Sequence, residues 1–158
     1  SASIVTDDGY TVGAMVAVNS FGSVTVPGSE AYWAAPYEID DEFGGIPVPA
    51  HAGFDPEDWG EAKANPAPRQ NTTIAIVATD AVLTPSEAQR FADMSVAGLA
   101  RAIRPVFAPF DGDVVYALST GQKLLSEPKP FTLARLGELG ASCLARAVAR
   151  GVHAANSD

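Results

Sequence analysis

Polar and apolar positions divide the chain into three stretches. In the first, Thr11 to Val18 is a β-rich, almost wholly apolar run, the pattern of a strand covered on both faces. It ends at Asn19, and Ser20-Phe21-Gly22 can turn the chain into a second short strand, Ser23 to Val26. The second stretch, Pro27 to Gln70, holds most of the prolines, Gly44-Gly45 and the acidic residues Glu38, Asp40, Asp41 and Glu42. It predicts a long loop with a short helix near Glu57 to Ala64. The third stretch alternates. A strand over Thr72 to Ala81 is followed by Thr84-Pro85-Ser86-Glu87, a capping box with Pro at the first helical position. That helix is expected to run to about Arg104, where Pro105 stops it. After the turn Phe110-Asp111-Gly112-Asp113 come a strand over Val114 to Leu118, a linker from Gln122 to Pro130, and a helix from Thr132 to about Val152. Strand, helix, strand, helix implies an α/β layer with helices packed on a sheet.

With 158 residues and 47% hydrophobic residues, the chain can bury a core of its own. The net charge of -9, with no Lys/Arg cluster, argues against nucleic acid or an anionic membrane as partner. No apolar run approaches the ~18 residues of a membrane span; a cytoplasmic location is expected, although the start at Ser1 bears little on it. A single cysteine, Cys143, excludes an intrachain disulfide and a thiol metal cluster; it falls on the apolar stripe of the last helix and reads as core. The aromatic residues Tyr32, Trp33 and Tyr37 have two readings, packing or contact with a ligand, and packing is preferred. His51 and His153 lack a nucleophile partner pattern, and there is no Gly-rich phosphate loop. No metal and no cofactor are expected.

The chemistry concentrates at strand ends. Thr72 opens the strand that follows the long loop, and two readings stand: an ordinary strand residue, or a nucleophile. On the second, its hydroxyl attacks the Asn71 carbonyl, the Asn71-Thr72 bond breaks, and the freed α-amine (pKa near 8) serves as its base. Asp111-Gly112-Asp113 has three readings: a turn whose carboxylates accept backbone N–H groups, a weak metal site, or a pair that orients a nucleophile and its ammonium. Asn19 is either a turn former or an amide donor to an oxyanion.

The segments Thr11-Val12-Gly13-Ala14 through Asn19, Asn71-Thr72-Thr73-Ile74 through Ala81, Gly98 through Pro105, Asp111-Gly112-Asp113 and Ala117-Leu118-Ser119-Thr120-Gly121 occur in one order. In that order they resemble the C-terminal half of the P1-type N-terminal-nucleophile hydrolases: β-aminopeptidases, nylon-oligomer hydrolases and a pantetheine amide hydrolase. The resemblance implies a four-layer α/β/β/α sandwich of which this chain is the C-terminal part. It implies that residues 1–158 form half of one domain, cut between 71 and 72 into the end of an α piece and a β piece. It also implies Thr72 as nucleophile, Asn71 before the cut, Asn19 at the oxyanion, and Asp111 and Asp113 as orienting groups. The Asn-Thr junction with Asp-Gly-Asp resembles the nylon-hydrolase and pantetheine-hydrolase branch. The implied partners are an N-terminal half carrying a catalytic Lys, further copies in a homo-oligomer, and a small amide or peptide substrate. Two alternatives accompany it: an acyltransferase of the ornithine acetyltransferase type, and an inactive assembly subunit.

Overall fold

A computed structural model describes residues 1–50, 55, 57–63 and 71–157. His51 lies outside them. Four strands, β1 (Ala2–Val5), β2 (Thr11–Ala17), β3 (Ile74–Ala81) and β4 (Val114–Lys123), form one sheet in sequence order. β1, β2 and β3 pair antiparallel, and β3 and β4 pair parallel. A parallel neighbour needs a crossover, and α1 (Pro85–Ser95) with α2 (Ala97–Ala102) supplies it. The last helix, α3 (Lys129–Asn156), packs on α1, α2, β1 and β2.

The strand periodicity of two decides what the sheet buries. Val12 and Ala14 of β2 and Ala75, Val77 and Ala81 of β3 point to the helices and are buried. Leu136, Cys143, Leu144, Ala147 and Val148 of α3 complete that core, and burial pushes the Cys143 thiol up to about 11. Small residues let α1 and α2 lie close on α3. A Cβ at Gly98 would stand 2.3 Å from the Ala141 carbonyl oxygen, and one at Gly140 2.3 Å from Ser95 Oγ. Near the sheet edge, Arg146 of α3 is buried against Glu42 and donates to the Ser3 carbonyl at 3.2 Å.

Among the described residues, the opposite face of the sheet is left exposed. Met15, Ile76 and Tyr116 form one paired row across β2, β3 and β4, with Ile74 and Leu118 beside it. Their exposures run from 37% at Ile76 to 64% at Met15. The apolar β2 sequence predicts cover on both faces; among the described residues only one is covered. Of the four expected layers, the described residues build one sheet and the helices on it.

Several boundaries differ from expectation. The capping box forms as predicted, with the Thr84 hydroxyl accepting from Glu87 N–H and Glu87 reaching back. The helix it starts breaks at Val96 and ends at Ala102, because Arg104 pairs its backbone with Ser23 instead. Ser23 to Val26 is not a strand: Ser23 bridges Arg104 and Thr25 bridges Tyr32, so no continuous neighbour is available. β4 runs on to Lys123, which pairs with Ala81 beyond an irregularity in β3. α3 starts at Lys129, three residues before Thr132. Residues 57–63 are turns rather than helix. There Asp55 and Asp58 accept from the N–H groups of Glu57 and Gly60, bonds that compete with a helical ladder.

Candidate active site

The sheet topology brings three strand ends together. β2 ends where β3 begins because the two are antiparallel, and β4 begins beside the start of β3 because those two are parallel. Asn19 follows β2, Asn71-Thr72-Thr73 precede β3, and Asp111-Gly112-Asp113 precede β4. All five residues named as candidates from the sequence therefore meet at one end of the sheet.

The Asn71-Thr72 peptide unit is gripped from both sides. The Thr72 N–H donates to the Asn19 carbonyl at 3.0 Å. The Asn71 carbonyl oxygen accepts from the Gly112 N–H at 3.1 Å and from the Thr72 hydroxyl at 2.5 Å. Gly112 is required there, since a Cβ would lie 2.8 Å from Thr72 Oγ1. Thr72 is half-buried, and Asn71 is 2% exposed.

The two aspartates fix the backbone around this unit. Asp113 accepts from Thr73 N–H at 2.8 Å and from Phe107 N–H at 3.1 Å. Asp111 accepts from Phe21 N–H at 3.0 Å, which ties the turn after Asn19 to the β4 entry. Its other oxygen is buried without a hydrogen-bond partner among the described residues. Burial, and then the nearby Asp113 carboxylate, hold the Asp111 carboxyl above the usual carboxylate range. The turn-forming role of the pair is thus present. Among the described residues no group of three or more His, Cys, Asp or Glu is arranged to hold a metal ion.

Two participants were not singled out by the sequence. Gly112, named there only within the Asp-Gly-Asp motif, contributes the backbone N–H on the Asn71 carbonyl. Lys63 donates to Asn19 Oδ1 at 2.7 Å and to Asn71 Oδ1 at 2.9 Å. The available signal was its charge: Lys63 and Arg69 are the only Lys or Arg in the first 71 residues. The remaining sequence candidates are structural. His153 stacks edge-on against Tyr32, Arg104 lies over Trp33, and Arg101 lies over Tyr37.

The fold matches solved structures over nearly the whole chain. The PH0078 protein from Pyrococcus horikoshii OT3 aligns at a TM-score of 0.54 and 24% identity, covering 92% of this chain and 36% of that one. A Burkholderia sp. beta-aminopeptidase aligns at 0.51 and 19% identity, covering 95% of this chain and 40% of that one. The chain thus shares the fold of these two proteins over part of their length. The chain belongs to Peptidase family S58, whose profile matches residues 1–157. It is 39% identical to an uncharacterized aminopeptidase of Mycobacterium leprae over 99% of its own length and 44% of the relative's. An uncharacterized aminopeptidase of Mycobacterium tuberculosis is 34% identical over 96% and 46%. The chain therefore spans less than half the length of these relatives. No helix among the described residues is long and apolar enough to cross a membrane.

Proposed function

We propose that this chain carries the nucleophilic part of a self-processing amide hydrolase, with Thr72 as nucleophile. The observation that carries the reading is the Thr72 hydroxyl 2.5 Å from the Asn71 carbonyl oxygen, with the Gly112 N–H on that same oxygen. The hydroxyl and the group it would attack already share one peptide unit, and a backbone donor stands where negative charge would develop.

In this scheme Thr72 Oγ bonds to the Asn71 carbonyl carbon and gives up its proton. The carbon–nitrogen bond breaks, and the Thr72 nitrogen leaves as an amine that takes a proton. Water then hydrolyses the Asn71 ester, giving a first piece ending at Asn71 and a second starting at Thr72. The freed amine becomes the base for attack by the same hydroxyl on an external amide through an acyl-enzyme. Asp111 and Asp113 orient the hydroxyl and amine; the unpartnered Asp111 oxygen and its elevated proton affinity support that role. In the uncut chain the Asn19 carbonyl holds the leaving N–H while Gly112 meets the carbonyl oxygen. Asn19 as an oxyanion donor belongs to the mature site.

The substrate class is a short peptide or small amide. The aminopeptidase names of the relatives support it, and the resemblance extends the range to nylon-type oligomers and pantetheine amides. The bare apolar sheet face supports an N-terminal half of the same protein as the partner that covers it.

Intact mass and N-terminal sequencing of the full-length protein at neutral pH test the reading. Two pieces are expected, the second beginning at Thr72. Thr72→Ala should remain uncut and inactive toward amides; cleavage or turnover in that variant would refute the nucleophile.

A further inference from the structure

Lys63 reaches the site from a short loop that is moored independently. Its own N–H donates to the Phe21 carbonyl at 3.0 Å. Trp59 stands edge-on to Phe21, with ring centroids 5.9 Å apart, and Asp58 accepts from Gly60 N–H at 2.9 Å. The loop is thus seated two residues beyond Asn19. From there the ammonium donates to Asn19 Oδ1 at 2.7 Å and Asn71 Oδ1 at 2.9 Å, and reaches the Asn19 carbonyl oxygen at 3.4 Å.

These two partners are the residues that hold the two ends of the Asn71-Thr72 peptide unit. Asn71 carries its carbonyl, and the Asn19 carbonyl accepts its N–H. We propose that Lys63 is a positioning residue for self-cleavage, clamping Asn71 to Asn19 so that the Thr72 hydroxyl and the Gly112 N–H face an immobilised carbonyl. This rests on the self-processing reading above.

The chemistry of an ammonium suits this task. It has three donors and no acceptor, so both asparagine side chains must turn their oxygens toward it. Charge-assisted bonds of this kind are roughly twice as strong as neutral ones. Lys63 is itself exposed, where a charged contact adds little to folding stability. Its contribution therefore falls on local geometry, and an error of about 1 Å in such geometry can cost on the order of a hundredfold in rate. The ammonium's hydrogen bonds go to Asn19 and Asn71, so it acts on the cut through them and is not a catalytic residue.

The test follows cleavage of newly made full-length protein by mass spectrometry, comparing wild type with Lys63→Met, Lys63→Arg and Thr72→Ala. Lys63→Met should still fold, as read by a cooperative melt, and cut about tenfold or more slowly. Lys63→Arg should recover part of the rate. Added hydroxylamine, which opens an accumulated ester, should not rescue Lys63→Met, because the slowed step precedes the ester. Wild-type cleavage in Lys63→Met, no recovery with Arg, or rescue by hydroxylamine would each overturn the clamp. If Thr72→Ala is also cut, the self-processing reading itself fails; if Thr72→Ala is blocked while Lys63→Met cuts normally, only the clamp fails.

Discussion

A single glycine sets the tightest tolerance in the site. Gly112 puts its N–H on the Asn71 carbonyl, and its missing Cβ leaves room for Thr72 Oγ1. Gly112→Ala would place carbon 2.8 Å from that hydroxyl, closer than a Cβ normally comes to any atom. The hydroxyl has to move, so self-cleavage should slow by about tenfold to a hundredfold, measured as the half-life of the intact chain. Asp111 yields a pH prediction. Its proton affinity is raised on folding, first by burial and then by Asp113. Between the unfolded and the higher folded pKa the native state binds more protons, so stability falls as pH rises through that window. Asp111→Asn cannot ionise and should flatten that fall, as read by chemical denaturation at a series of pH values above 4. A wild-type curve that rises there because of Asp111, or an unchanged slope in the variant, would contradict this. The strand-end positions of Thr72, Asn71, Asn19 and both aspartates were legible in the sequence as polar residues beside apolar runs, whereas the roles proposed for them came from the family resemblance and not from that pattern. Lys63 was not legible, because its relevance depends on a loop fold that the prolines and turn-forming aspartates obscure.

At the scale of elements, the helices were read more securely than their ends. The capping box fixes the start of α1 by local hydrogen bonds, so sequence alone locates it. The ends depend on distant backbone: Arg104 leaves the helix to pair with Ser23, and Lys123 extends β4 by pairing with Ala81. Packing of α2 on α3 is decided by Gly98, whose Cα faces the Ala141 carbonyl. A Cβ there would sit 2.3 Å from a backbone oxygen that cannot swing away. Gly98→Val should therefore cost about 1–3 kcal/mol or more by forcing α2 off α3, read as a lowered denaturation midpoint. Gly151, with nothing near its Cβ position, is the matched control and should accept Ala without loss.

At the scale of the whole molecule, the described residues cover one face of the sheet and leave the other exposed. Met15, Ile76 and Tyr116 make a row of apolar side chains that would normally be buried. A charge in the middle of that row should favour water and reject an apolar partner. Ile76→Lys is expected to make this chain more soluble when expressed alone. In the full-length protein it should lower amide hydrolysis and loosen the association between this part and the remainder, measured by size-exclusion after self-cleavage. Equal association in the variant would mean that the remainder packs elsewhere.

The sequence by itself did not show β1; it determined the strand–helix–strand–helix order from β3 to α3, the helix cap, the buried stripe of α3 and the polar residues that stand at strand ends. These follow from local hydrogen bonding and from the periods of two and 3.6, which neighbouring residues carry. Only the tertiary structure decided that three strand ends converge on the Asn71-Thr72 bond, that the Gly112 N–H meets its carbonyl and Lys63 the two asparagine side chains beside it, and that the described residues leave one sheet face exposed. Those facts depend on contacts between residues up to about a hundred positions apart, whose geometry no local pattern encodes.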